Sequence, residues 1–233
     1  HCLDADLPNR SFRMIEPRRR GVEYDVHHCG DRFFIRTNDC ADNFRLMEAP
    51  LDTPSREYWK EIIPHDDKTL LDGVSVFQNY LVVWARVSGL ERIYVLDFHS
   101  GEIHEVKFEE PTYSIRGAWN PEFSSVTLRF SYESLTTPRS IFDYDMRAHT
   151  RDLRKRYEVL GDYDPANYVS ERILATGQDG AQIPISLVYK RGSISDGPKP
   201  LLLYAYGSYG IVIDPDFSSA RFRFFSKFSI CRL

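Results

Sequence analysis

The chain has 233 residues, 42% hydrophobic and 14% aromatic, enough for a sizeable core or two domains. A formal net charge of -4 argues against a partner held by phosphate attraction, so no nucleic acid is expected. No apolar run approaches the roughly 20 residues of a membrane helix, so no membrane is expected either. The sequence opens His1-Cys2-Leu3-Asp4, without an initiator methionine or a basic, apolar leader, and reads as the inside of a longer protein. Cysteines at 2, 29, 40 and 231 form no CxxC pair and no disulfide framework, which points to a reducing, cytoplasmic compartment. His27, His28, Cys29 and Cys40 are either a metal cluster or polar residues on a strand and its turn. Metal sites need tighter, paired ligand spacing, so no metal and no cofactor is expected.

In chain order, three strand-like runs follow turn residues: Asp31 to Thr37, Asn79 to Arg86 and Ser125 to Ser131. Their starts recur at one nearly fixed period, in the range of roughly 40 to 50 residues. A second strand follows each, over Phe44 to Met47, Arg92 to Asp97 and Ser140 to Asp145. Short strands flank them, such as Gly73 to Phe77 and Glu102 to Phe108. About four strands per period leave little room for helices. That is the pattern of β-propeller blades. A β-sandwich also packs short strands closely along the chain, but it need not repeat them at one period. Three blades do not close a ring of four to eight, so the N-terminal part of a propeller is expected to lie outside this sequence.

The character changes near residue 160. Gly161-Asp-Tyr-Asp-Pro165 is turn-rich and follows a charged stretch. Ser170 to Thr176 and Ile183 to Tyr189 flank Gln178-Asp-Gly180, a strong hairpin signal. A Gly/Pro/Ser loop from Gly192 to Pro200 leads into Leu201-Leu-Leu-Tyr204, which reads as a buried strand entering a glycine-rich turn.

Tyr163-Asp-Pro-Ala-Asn-Tyr168, Pro184-Ile-Ser-Leu-Val-Tyr189, Leu203-Tyr-Ala-Tyr-Gly-Ser-Tyr-Gly210 and Asp214-Pro-Asp-Phe-Ser218 resemble the entry to the catalytic domain of the prolyl oligopeptidase family of serine peptidases, in particular its oligopeptidase B branch. Asn43-Phe-Arg-Leu-Met47 resembles the same family's propeller. The resemblance covers about residues 10 to 221, with one departure at Ala205, where the family usually has glycine. It implies a mostly β fold: residues 1–160 as the C-terminal part of a propeller of about three blades, and residues 161–233 as the first strands of an α/β-hydrolase domain. It also implies cleavage of short peptides after arginine or lysine, so short basic peptides are the expected partners, together with complementary halves of a split peptidase.

Within that scheme Tyr206 matches the tyrosine whose hydroxyl forms half of the oxyanion hole, a catalytic role. Such a donor is worth about 3 kcal/mol. The alternative is a core aromatic with its hydroxyl at water. Tyr209 matches the aromatic of the primary specificity pocket. Asp214 and Asp216 would suit a cationic side chain through fork-shaped pairing, or else form a turn pair around Pro215.

A serine hydrolase of this fold needs Gly-x-Ser-x-Gly, then an acid, then a histidine. No such pentapeptide occurs: Ser208 has Tyr206 two residues before it, and Ser75 has Phe77 two after. The histidines stand at 1, 27, 28, 65, 99, 104 and 149, all before Tyr206. The expectation is an inactive piece of an oligopeptidase. A non-catalytic propeller that binds peptides or a partner protein is the alternative. From Phe222 onward the resemblance stops, and the apolar-rich ending reads as a truncated or shifted frame that would promote aggregation if exposed.

Overall fold

In a computed structural model of the chain, the described residues are 1–193, 197–198, 200–222 and 229–232, the last four as backbone only. The anomalous ending is thus mostly outside the described residues. Among the described residues, sixteen strands form four four-stranded sheets. The first contains β1 (Tyr24–Cys29), β2 (Arg32–Thr37), β3 (Arg45–Pro50) and β4 (Lys60–Ile63). The second contains β5 (Thr69–Val76), β6 (Tyr80–Val87), β7 (Leu90–Asp97) and β8 (Ile103–Glu105), and the third β9 (Ser114–Gly117), β10 (Thr127–Glu133), β11 (Ser140–Asp145) and β12 (Thr150–Arg156). Each is a meander in chain order, as in a propeller blade.

Contacts divide the chain into two compact units. The first holds residues 1–87, 93–105 and 122–125, and its core shows why the strands read as they do. Phe33, Phe34 and Ile35 of β2 are all buried. Phe34 packs with Leu46, Leu71, Leu81 and Val83 of the same unit, whereas Phe33 and Ile35 pack with Ile15, Met47 and Ala49. Successive side chains point to opposite faces, so a run of three buried apolar residues means both faces of this sheet are covered. Burial of that kind is worth about 1.5–3 kcal/mol for each large side chain.

The repeat also appears in turn chemistry. At the end of β7, the Asp97 carboxylate accepts the backbone N–H of His99 and Ser100 (2.7 and 3.1 Å). At the end of β11, one period later, Asp145 accepts from Arg147 and Ala148 (both 2.8 Å). Each turn closes on a left-handed residue, Gly101 (φ 73°) and His149 (φ 57°). These backbone donors hold both carboxyls below their usual range.

The second unit holds residues 88–92, 106–121 and 126–233. The third sheet lies within it, and beyond it comes the fourth. β13 (Tyr168–Thr176) and β14 (Gln182–Lys190) form the expected hairpin, with Gly180 at φ 85°. β15 (Leu201–Tyr204) runs parallel to β16 (Ser229–Arg232), which pairs antiparallel with β14, giving the order β13-β14-β16-β15. The short helix α1 (Ser219–Phe222) lies in the β15–β16 crossover, the connection a parallel pair requires.

Two expectations change. The strand expected over Glu102 to Phe108 is only Ile103–Glu105, because Val106 turns into the core and Phe108 packs on Tyr113, Phe130 and Tyr132. Leu201–Tyr204 is a strand but not a buried one: its side chains are about half exposed. Among the described residues β15 is at the edge of the sheet, paired with β16, and no described element covers its faces.

His27 and His28 have partners of their own, at the Asp25 carboxylate (3.0 Å) and the Gly30 carbonyl (2.8 Å). Cys29 is buried in the core, and Cys2, Cys29 and Cys40 are free thiols. No described helix is long and apolar enough to cross a membrane.

Candidate functional site

The four candidate residues lie on one loop, 205–218, that leaves the carboxyl end of β15. The loop begins at Ala205 and folds into a turn closed by the Ile211 N–H donating to the Ser208 carbonyl (3.1 Å). Both central residues of that turn, Tyr209 and Gly210, have positive φ (55° and 66°). Glycine adopts this freely, whereas tyrosine does so at a cost of order 1 kcal/mol. Tyr209 is 91% exposed at the tip. Such strain concentrates at functional sites.

Tyr206 is about half exposed, and no described residue bonds its hydroxyl. Its ring is therefore not packed in a core. Asp214 and Asp216 are partly buried on either side of buried Pro215. The Asp216 carboxylate receives Nη2 of Arg221 at both oxygens (2.9 and 2.8 Å), and Arg221 Nη1 donates to the Asp216 carbonyl (2.7 Å). The loop therefore brings Tyr206, Tyr209 and the aspartates onto one segment, but Asp216 already holds a guanidinium from its own chain.

Contacts with residues outside the loop hold its far end. The Phe217 N–H donates to the Glu133 carboxylate of β10 (3.1 Å). The Phe217 ring packs edge-on to Tyr163 (5.3 Å), and Phe222 of α1 packs at a tilt against Tyr163 and Tyr168 (4.5 and 4.6 Å). The Tyr163 hydroxyl donates to the Thr136 carbonyl, and burial pushes its pKa well up, so it stays a neutral donor. Glu133 is remote from Phe217 along the chain, and no local signal could have found it. Among the described residues no group of three or more His, Cys, Asp or Glu side chains is placed to hold a metal.

Comparisons with known proteins agree on one family. The description "prolyl oligopeptidase, N-terminal β-propeller domain" matches residues 1–156. A dipeptidyl aminopeptidase BI of Pseudoxanthomonas mexicana is 41% identical over 219 residues, which is 93% of this chain and 30% of the relative. Protease 2 of Moraxella lacunata is 32% identical over 97% of this chain and 32% of the relative. The solved oligopeptidase B of Leishmania major superposes with a TM-score of 0.85 at 34% identity, over 94% of this chain and 32% of that one. The chain thus spans about a third of the length of the relatives it matches.

Proposed function

Since the chain belongs to the prolyl oligopeptidase family through its N-terminal propeller domain, we propose that it forms the last blades of such a propeller and the oxyanion-side loop of an oligopeptidase that cleaves short peptides after arginine or lysine. The observation that carries this is the 205–218 loop. It stands at the carboxyl end of β15 with a half-exposed tyrosine, a strained exposed tyrosine and two carboxylates together.

The chemistry follows from those groups. As a nucleophile adds to a scissile carbonyl, negative charge gathers on its oxygen, and the Tyr206 hydroxyl donates to it most strongly at that moment. Tyr209 offers its ring face to the alkyl stem and cation of a basic side chain. Asp214 adds negative charge, and Asp216 does so as far as its pair with Arg221 leaves lone pairs open. The nucleophile and its base are supplied from outside this chain, since no Gly-x-Ser-x-Gly turn and no histidine after Tyr206 are present.

The test is a chimera in which residues 168–221 replace the matching stretch of a complete relative. It should cleave arginyl and lysyl substrates. Asp214→Asn and Asp216→Asn should raise KM for these substrates with little change for neutral ones, and less so at high salt. Equal effects on basic and neutral substrates would refute the assignment.

A further inference from the structure

A concave site lies in the second unit, and none of residues 205–218 lines it. It is a pocket of about 340 Å³ on the face of the third sheet, walled by Phe108, Tyr132, Phe142 and Leu153, with Glu110 and Arg156 in its lining. Tyr132 stacks on Phe108 (5.2 Å) and meets Phe142 edge-on (6.2 Å). The charges fall into two kinds. Arg151 is structural: it is held by the Glu109 carboxylate (3.0 Å to each oxygen) and the Lys107 carbonyl (3.0 Å), and it lies over the rings of Phe108 and Phe142. Glu110 and Arg156 are different. Among the described residues neither has an ion-pair partner.

Glu110 is nonetheless fixed. Tyr132 donates to Oε2 (2.6 Å), and Thr136 and Thr137 donate to Oε1 (3.0 and 2.9 Å). A carboxylate has about four acceptor positions, so these three donors leave one on Oε2. Arg156 spends its Nε on the Ser140 hydroxyl (3.2 Å), which leaves its two terminal nitrogens for an anion. A preset acceptor for one cation, a guanidinium fork for one carboxylate and aromatic walls within one cavity are what a zwitterion with an apolar body requires. The volume is near the lower end of ligand pockets, about 300 to 1,000 Å³, so the occupant is small.

We propose that this pocket binds a short zwitterionic peptide of the dipeptide class, with its ammonium on Glu110, its carboxylate on Arg156 and its side chains against Phe108, Phe142 and Leu153. The site is independent of the proposed peptidase role. The probe is leucyl-phenylalanine, with its N-acetyl and C-amide forms, titrated into the full chain by calorimetry. The free dipeptide should saturate the chain, and each block should weaken binding about tenfold, the loss of one charged pair. In Glu110→Gln acetylation should no longer matter, and in Arg156→Gln amidation should no longer matter, while Tyr206→Phe leaves affinity unchanged. If Glu110→Gln fails to fold, the exposed Arg156 arm decides alone. No saturation by about 10 mM free dipeptide, equal binding of the blocked forms, or block effects that survive these substitutions would overturn the proposal.

Discussion

Asp39 should carry a pH-dependent share of the stability of the first unit. Its side chain is 6% exposed and accepts from Arg19 Nη2 (2.9 Å) and Arg56 Nε (2.5 Å). Glu16 extends the network, approaching Arg19 Nε at 3.8 Å and accepting the Arg56 N–H at 3.1 Å. The hydrogen bond from Arg19 is the main reason the Asp39 carboxyl sits below its usual range, with Arg56 adding to it against the cost of burial. A hydrogen bond to a charged group contributes about 1.5–3 kcal/mol. Both arginines are more than a third exposed, so solvent screening reduces the pair to about 2 kcal/mol in total. Asp39→Asn removes the charge and turns an amide donor toward one guanidinium. At pH 7 it should cost about 2 kcal/mol, or roughly 4–8 °C in Tm for a chain of this size.

The sign of the pH dependence follows from the lowered carboxyl. The contribution is complete above the unfolded value near 4 and is lost as pH falls toward the folded value, by up to about 1.4 kcal/mol per unit. Urea unfolding of both proteins at pH 7, 4 and 3 measures it. The gap between them should hold from pH 7 to about 4.5 and narrow by about 1 kcal/mol at pH 3. A gap already absent at pH 7, or undiminished at pH 3, would refute the reasoning.

Two further outcomes can be checked directly. The chain alone should not hydrolyse an arginyl or lysyl amide; turnover blocked by a serine-directed phosphonate that labels this chain would contradict the reading. Gly101→Ala should cost about 1–2 kcal/mol in urea unfolding, because φ is +73° there and a Cβ would meet nothing within 4 Å, so the whole penalty is backbone. Gly101→Asn should cost about half as much or less, since asparagine tolerates this region.

The blades were legible because each is built from local contacts at a fixed period. Ser140–Asp145 and Leu201–Tyr204 have the bounds the sequence suggested, and the Asp97 turn recurs at Asp145 one period on. The shortening of β8 was not legible, because Phe108 leaves its strand for aromatic partners on the next sheet, Phe130 and Tyr132 of β10. The exposure of Leu201–Tyr204 has another reason: an apolar run shows that a strand can be buried, not that something lies over it. At the site, motifs placed Tyr206, Tyr209, Asp214 and Asp216 on one loop. The groups that hold that loop, Glu133 and Arg221, carry no motif, and the hydroxyl partners of Glu110 come from β10 and the turn after it.

The proposed chemistry requires that Tyr206 face the oxygen that becomes charged. The most direct measurement is kcat for Tyr206→Phe in the chimera that carries residues 168–221. Losing one oxyanion donor of about 3 kcal/mol should lower kcat about a hundredfold with little change in KM. A kcat equal to that of the parent chimera would show that Tyr206 has no part in the chemistry and would contradict the account.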